Sequence, residues 1–499
     1  MTTAAPIRFA ILADPATLET WQRRCFEELR RVPDVVFVEE TVSSRLQGQN
    51  LDFILSWTDP PPDLLAAARY GVWKYQFGDW THYRGGPAGF WEVHDKCSVS
   101  AAMLVRLTDD RDAVVVLREG YLRTNPLSAA KNRRQLQECC ARWAVQLAAD
   151  IRNGVLSRFA AEPRRTSATV RAAPSAAQRL QHRCKIISRM AAVAWRDLFR
   201  HEQWNIGVVE QPITEFLERG TRAATRWFPE PLPGEILADP FGVVRDGHLT
   251  VLCEYLRFDD NRGVIVAMEP DSATPSRRLP VEIGPTPPVH LSYPQMLQIE
   301  GRTFCAPETH EARELALYEL ERFPDRWQKI ATLLTDTVVV DATVFEHGGL
   351  WWIAGSEAAP KGANCELHLW HAQELTGPWQ AHPGNPVKVD VRSARPGGTV
   401  FSRDGVLYRP GQDCSRTYGG RIVINRVTTL TPTAFAEELA AAVDPEAAGP
   451  YPRGLHTLSA VGNVTLIDGK RIRFEPAQFA RTLRSWLNTL RKRRGPATG

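Results

Sequence analysis

The chain reads as an α/β domain of Rossmann type, followed by a basic helical linker and an all-β five-bladed propeller. Three observations predict this. Apolar strand-like runs alternate with helical spacings over residues 1–158. A stretch rich in Ala, Pro, Ser and Arg and a basic helix fill 159–201. One short pattern then recurs five times through 202–476.

In the first domain, IRFAILA (7–13) is an apolar run ending at Asp14-Pro15, a good N-cap followed by the residue favoured at the first helical position. Leu18, Trp21, Cys25 and Leu29 follow at helical spacing. VVFVEE (35–40) and LDFILSW (51–57) read as strands, and PPDLLAAARYG (61–71) as a short helix stopped by Gly71. VWKYQF (72–77), AAMLVRL (101–107) and AVVVLREG (113–120) are further strands. A helix over 128–156 places Leu136, Cys140, Trp143, Leu147 and Ile151 on one face. Strands alternating with helices predict a mainly parallel sheet.

AEPRRTSATVRAAPSA (161–176) reads as linker, and 177–200 as a basic helix that either lies on an anionic surface or, the favoured reading, packs on a neighbouring domain with its charged face solvated. The repeats follow: FGVVRDGHLTVLCEY (241–255), PQMLQIEGRTFCAPE (294–308), ATVFEHGGLWWIAGS (342–356), GTVFSRDGVLYRPGQ (398–412) and GNVTLIDGKRIRFEP (462–476). Each is a strand, a tight turn and a second strand, with the turns placed at Gly247, Gly301, Gly348, Gly405 and Gly469. A period of roughly 50–60 residues suits one four-stranded blade, which cannot bury both faces alone. FPDRW (323–327) and GPWQ (377–380) are turn signals between inner strands. Closure of the ring requires a strand near 204–209 to join the last blade, because a closed ring leaves no sheet edge exposed. An amphipathic helix (477–493) and basic tail complete the chain at 477–499.

At 499 residues two or three domains are expected. A net charge of +4 does not by itself imply a nucleic-acid partner. No apolar run reaches the ~18–20 residues of a membrane span, and the N-terminus lacks the pattern of a secretory signal. Nine cysteines without a CxxC pair suggest neither a zinc ribbon nor a disulfide framework, and the expectation is buried thiols in a cytoplasmic protein with no metal.

LDFILSW, GVWKYQFGDWTHYRGGPAGFWEV (71–93) and LVRLTDDRDAVVVL (104–117) resemble the formyltransferase family over about 50–155. The resemblance implies a formyltransferase-like domain moving a formyl group from 10-formyltetrahydrofolate to an amino sugar or other small amine. Its register on Arg84-Gly85 puts Lys74 at the family's Asn, Gln76 at its His and Asp112 at its Asp, as candidate catalytic residues. Gln76 can donate to an oxyanion but cannot carry a proton as His does. Arg84 becomes a substrate-binding candidate. The trio is expected at the C-terminal edge of the sheet, facing a cleft.

ILADPFGVVRDG (236–247), HLSYPQMLQIEGRTFCAPE (290–308) and VDATVFEHGGLWWIAGS (340–356) resemble the propellers of family-43 glycoside hydrolases. They resemble more closely the N-terminal propeller of plant glucosamine inositolphosphorylceramide transferases, which accompanies a separate glycosyltransferase domain. The resemblance implies that Asp239 is a general base, Asp341 a second Asp that tunes pKa, and Glu308 a candidate acid. Asp239, Tyr293, Asp341, Arg395 and His456 lie at repeat openings and are expected to converge on the axis as substrate-binding residues. Two carboxylates beside an Arg can bind a polyol, or hydrolyse a glycoside if one is held protonated.

Three functions are therefore open. One is a formyltransferase-like enzyme whose propeller holds a small amine or sugar substrate. The second is an inactive glycan-binding module or an aid to a partner glycosyltransferase. The third is a glycosidase acting through the propeller carboxylates.

Overall fold

The computed structural model describes residues 6–13, 17–38, 46–218, 223–260, 262–272, 274, 276–357 and 364–474. The Asp14-Pro15 cap and the helix expected at 477–493 lie outside them. The chain forms two compact units that divide between Arg189 and Met190.

The first unit is a seven-stranded sheet. Its strands are β1 (Ile7–Leu12), β2 (Val35–Phe37), β3 (Phe53–Ser56), β4 (Val72–Phe77), β5 (Val99–Leu107), β6 (Ala113–Arg123) and β7 (Arg164–Arg165), in the order β2-β1-β3-β4-β5-β6-β7. The helices are α1 (Thr20–Arg30), α2 (Phe90–Asp95), α3 (Ala129–Cys140), α4 (Trp143–Arg152) and α5 (Ala176–Phe199). Phe9, Phe53 and Trp73 stack across β1, β3 and β4, with Phe53 and Trp73 parallel and 3.9 Å apart. On the opposite face Ala10, Ile54 and Val72 pack with Leu64. This is the period-2 alternation of a sheet covered on both sides.

Several expectations are corrected here. The sheet is mixed rather than a mainly parallel Rossmann type: β2, β1, β3 and β4 are parallel, while β5, β6 and β7 are antiparallel. The short Thr108–Asp112 connection accounts for the antiparallel β5–β6 pair, since parallel neighbours need a long crossover. Helix α1 starts after Glu19, whose carboxylate and Gln22 form a capping box. The helix expected at 61–71 is only a 3₁₀ turn (Pro62–Leu64), and that expected at 128–156 is broken into α3 and α4. Residues 161–175 are not a free linker: β7 pairs with β6, and the Arg171 N–H donates to Arg84 O (2.7 Å). The first half of α5 belongs to the same unit, with Arg189 Nη1 donating to Val93 O (2.6 Å).

The second unit is a propeller of five blades. Blade I comprises Glu235–Arg245, His248–Arg257, Arg262–Met268 and Leu279–Pro280. Blade II comprises Ser292–Ile299, Arg302–Glu308, Glu314–Arg322 and Arg326–Thr335. Blade III comprises Val339–His347, Leu350–Glu357, Glu366–Ala372 and Gln380–Ala381, with Lys388–Val389 added on its third strand. Blade IV comprises Phe401–Arg403, Val406–Asp413, Arg421–Thr431 and Ala434–Val443. Blade V comprises Leu458–Val461, Val464–Phe474, Arg200–Val209 and Thr225–Trp227.

The Arg200–Val209 strand pairs along its whole length with Val464–Phe474, so the start of the unit closes the ring at its end, as ring closure requires. Each blade packs on both neighbours. Val208 meets Val251 between blades V and I, and Leu252 meets Cys305 between I and II. Val344 meets Phe304 between II and III, Ala354 meets Ala394 between III and IV, and Ile424 meets Leu458 between IV and V.

In four inner hairpins both turn residues take positive φ: Asp246-Gly247, Glu300-Gly301, Gly348-Gly349 and Asp404-Gly405. Such turns match the right-handed twist of the strands they join. The fifth turn is at Gly462 (φ 58°), not at Gly469, which lies inside a strand. Gly469 is required for a different reason: a Cβ there would lie 2.4 Å from the Trp227 ring.

Candidate functional site

The inner strands of blades I, II and III share one irregularity. Asp239, Tyr293 and Asp341 have φ of 51°, 43° and 51°, and each opens a bulge where the ladder with the second strand skips. Left-handed backbone costs a non-glycine residue about 1–3 kcal/mol and persists only where its surroundings fix it. At Asp239 the backbone N–H donates to Asp468 Oδ2 (3.2 Å) of the second strand of blade V. At Asp341 it donates to Glu308 Oε2 (2.9 Å) of the second strand of blade II. A carboxylate of the preceding blade thus locks the bulge of the next.

Around Asp341 the network is closed. Arg395 Nε donates to Asp341 Oδ2 (2.5 Å) and Arg395 Nη2 to Oδ1 (3.0 Å), while Gln412 Nε2 also donates to Oδ2 (2.5 Å). Burial pushes the Asp341 carboxyl above its ordinary pKa, and the Arg395 guanidinium opposes this. Burial works against the charge of Arg395 too, but Asp341 holds its pKa well above the usual arginine value. The remaining Arg395 donors reach Asn364 Oδ1 (3.1 Å) and the Tyr418 hydroxyl (3.3 Å). Glu308 Oε1 meets His310 Nδ1 at 2.7 Å. Burial would raise Glu308, but His310 and then Arg395 hold it below its ordinary value.

Around Asp239 the network stays open on one side. His456 lies between two carboxylates, with Nδ1 2.6 Å from Asp468 Oδ2 and Nε2 3.3 Å from Asp239 Oδ1. Thr457 Oγ1 donates to the same Asp239 Oδ1 (3.0 Å). Asp239 Oδ2 has no partner among the described residues. Burial raises Asp239 to about 8, His456 moderating the shift. Burial disfavours the imidazolium, but Asp468 and Asp239 raise His456 to about 9. Burial opposes the charge of Asp468, yet His456 and two backbone N–H donors hold its pKa below the usual value. Near neutral pH burial therefore favours a proton on Asp239, while the two flanking carboxylates favour one on His456.

Asp239, His456 and Asp468 each offer one ligand atom, all within 4.8 Å of one another. The ring nitrogens of His456 face the two carboxylates.

The structure therefore brings Asp239, Asp341, Glu308, Arg395 and His456 to one axial network, with Tyr418 against both Arg395 (5.1 Å) and His456 (5.3 Å). Asp239 is 5% and Arg395 9% exposed, so this network is nearly sealed, while Tyr418 is half-buried. Tyr293 is not a substrate contact. It is fully buried, its hydroxyl pairs with Thr343 (2.9 Å), and it accepts the Gly398 N–H (2.7 Å), pinning blades II, III and IV together.

Sequence reasoning missed Asp468, Tyr418, Trp204 and Lys470. Asp468 escapes the repeat pattern because the Asp468-Gly469 pair resembles a hairpin turn yet lies inside the Val464–Phe474 strand. Buried Lys470 lies under the Trp204 ring (5.0 Å) and donates to Thr417 (2.9 Å) and Glu202 (3.1 Å). Trp204 in turn packs on His456 (4.2 Å).

In the first unit the expected trio does not assemble. Lys74 bonds Asp59, and that hydrogen bond, with the Lys74 charge, lowers the Asp59 pKa. Asp112 pairs with Arg84, which also lies over the Trp80 ring (4.8 Å). No hydrogen bond or ion pair joins Lys74 or Gln76 to Asp112 among the described residues. The register explains this. Trp73 pairs with Arg106 and Gln76 with Met103, so the turn carrying Asp112 leaves β5 beside the start of β4, while Gln76 is near its end. A bound 10-formyltetrahydrofolate would need a proton carrier beside the attacking amine. Gln76 cannot carry one, Lys74 and Asp112 are each held in an ion pair, and Arg84 is occupied. These residues do not fit that cofactor.

Residues 225–448 match the family described as "Glucosamine inositolphosphorylceramide transferase 1, N-terminal". The transferase of that name from Oryza sativa subsp. japonica is 33% identical over 210 residues, 41% of this chain and 28% of the relative. That from Arabidopsis thaliana is 33% identical over 214 residues, 41% of this chain and 27% of the relative. The match thus spans little more than a quarter of the length of these relatives. Among solved structures, a family 117 glycoside hydrolase produced by Zobellia galactanivorans aligns at 12% identity and a TM-score of 0.35, over 55% of this chain and 91% of its own. An exo-1,5-alpha-L-arabinanase from a bovine ruminal metagenomic library aligns at 14% and 0.32, over 43% and 86%.

Proposed function

We propose that the propeller is a non-hydrolytic carbohydrate-recognition module serving glycan transfer. One observation carries the reading: among the described residues, Asp239 alone of the three axial carboxyl groups keeps an oxygen without a protein partner. Glycoside hydrolysis needs two carboxyl groups free to flank the scissile bond, one of them a protonated acid. Glu308 is held ionised and fully bonded, and Asp341 is neutralised by Arg395.

What remains suits a neutral polyol. Asp239 offers an O–H at neutral pH, Tyr418 offers its hydroxyl, and the Tyr418 ring offers an apolar face. Charges along the axis balance in pairs, Arg395 with Asp341, His456 with Asp468 and His310 with Glu308, so each of these cations is already matched by an anion. Support for the transfer context comes from the family match, which falls on the propeller and is described as the N-terminal part of a glucosamine inositolphosphorylceramide transferase.

Isothermal titration of the full chain with hexosamines, hexoses and myo-inositol tests the reading. Binding of at least one is expected, with Tyr418→Ala weakening it about tenfold, ~1.4 kcal/mol. Aryl glycosides should not be hydrolysed. Hydrolysis abolished by Asp239→Asn would establish the glycosidase instead, and sugar affinity unchanged in both variants would place binding elsewhere.

A further inference from the structure

We propose that α5 docks on an anionic lipid surface. The inference is independent of the sugar-binding reading. Between Glu162 and Asp197 the sequence holds eight Arg and Lys residues and no acidic one. Arg164, Arg165 and Arg171 are neutralised by Glu119, Asp110 and Asp95. The four that follow on α5 are not. Arg179 donates to Pro174 O (2.8 Å), Lys185 to His94 O (3.2 Å) and Arg189 to Val93 O, while Arg183 is exposed. None of these four has an acidic partner among the described residues, so their charge is left for something outside the chain.

The same helix exposes a line of apolar side chains. Leu180, Cys184 and Ile187 stand at i, i+4 and i+7, one face of a helix, and Arg179, Arg183 and Met190 flank that line. Leu180 is 64%, Ile187 67% and Met190 54% exposed. A buried-face helix would not leave residues of this size in water, and a merely solvated one would not need them. Exposed aliphatics beside unneutralised cations match the headgroup–acyl boundary of an anionic bilayer, which takes both at once. A nucleic acid would use the cations but offers little to Leu180 and Ile187, and it is better served by aromatic stacking.

The test is flotation of the full-length protein with vesicles of phosphatidylcholine alone and of phosphatidylcholine with about one-third phosphatidylserine. Binding is expected only to the anionic vesicles. Arg179→Gln with Arg183→Gln should weaken it by about an order of magnitude, and added salt should do the same. Leu180→Gln with Ile187→Gln should weaken it about tenfold in low salt with the cations intact. These positions are exposed, so thermal melts should match the wild type and exclude unfolding. Equal binding to neutral vesicles, no binding to either, or binding insensitive to the apolar pair would each overturn the proposal. The last, with competition by RNA, would point to a nucleic-acid surface.

Discussion

Replacing Asp239 with Asn should leave the propeller folded at pH 7 and make it more resistant to alkaline conditions than the wild type. Burial raises the Asp239 carboxyl from 3.8 to about 8. Between those values the folded chain holds a proton that the unfolded chain has released, so stability falls as pH rises. The fall is about 1.4 kcal/mol per pH unit and stops once pH has passed the folded value. His456, raised from 6.5 to about 9, acts in the same direction over its own window. The wild type therefore carries two downward slopes between pH 6.5 and 8, and the Asn variant carries only that of His456. The difference across the window is about 2 kcal/mol, or a few °C in melting temperature. Asn is a neutral isostere of the protonated acid. Its Oδ1 can still accept from Thr457 and His456, and its amide can donate from the open side. Calorimetry of the full chain at steps from pH 6.5 to 9.5 measures the slope for each protein. Were Asp239 ionised at pH 7, the substitution would strip an anion from buried His456⁺ and cost about 3–5 kcal/mol at every pH. A uniformly lower melt with an unchanged slope would refute the assignment of the proton.

Three further outcomes follow from the interlocked side chains. Asp468→Asn should destabilise the propeller above pH 5, because the lowered pKa of Asp468 gives stability that is present above its unfolded value of 3.8 and lost as pH falls below it; the His456 ring, followed by NMR, should then titrate lower than about 9. Tyr293→Phe leaves the buried Gly398 N–H without its 2.7 Å acceptor and should cost about 1–3 kcal/mol in chemical denaturation. Glu437→Gln removes the anion that accepts from buried Arg409 at 2.6 and 2.9 Å and from Lys388 at 2.7 Å. It should cost about 3–5 kcal/mol, with partial recovery when Arg409 is also changed to Met.

The five-fold architecture was legible in the sequence because a blade is built from local chemistry. Two positive-φ positions, usually Asp-Gly or Gly-Gly, between apolar runs select a tight hairpin without reference to the rest of the chain. The repeat also located Asp239 and Asp341, since the inner strand bulges at the same place in three blades. The closing strand was legible for the same reason, an unpaired edge being costly wherever it falls.

What each polar residue does was settled only by packing. Asp239 and Asp341 sit at equivalent bulges of inner strands and Glu308 ends a second strand, yet one Asp has its pKa raised by burial, the other is clamped by Arg395, and the Glu caps a backbone N–H. Those differences come from partners 33 to 229 residues away in sequence, which periodicity cannot see. Lys74, Gln76 and Asp112 fail to meet for a related reason. Spacing along the chain said nothing of whether β5 would run with β4 or against it, and its antiparallel course sends Asp112 to the other end of the strand. Local sequence fixes turns and strands through backbone energetics, whereas protonation and pairing depend on which distant groups share one buried, weakly screened space.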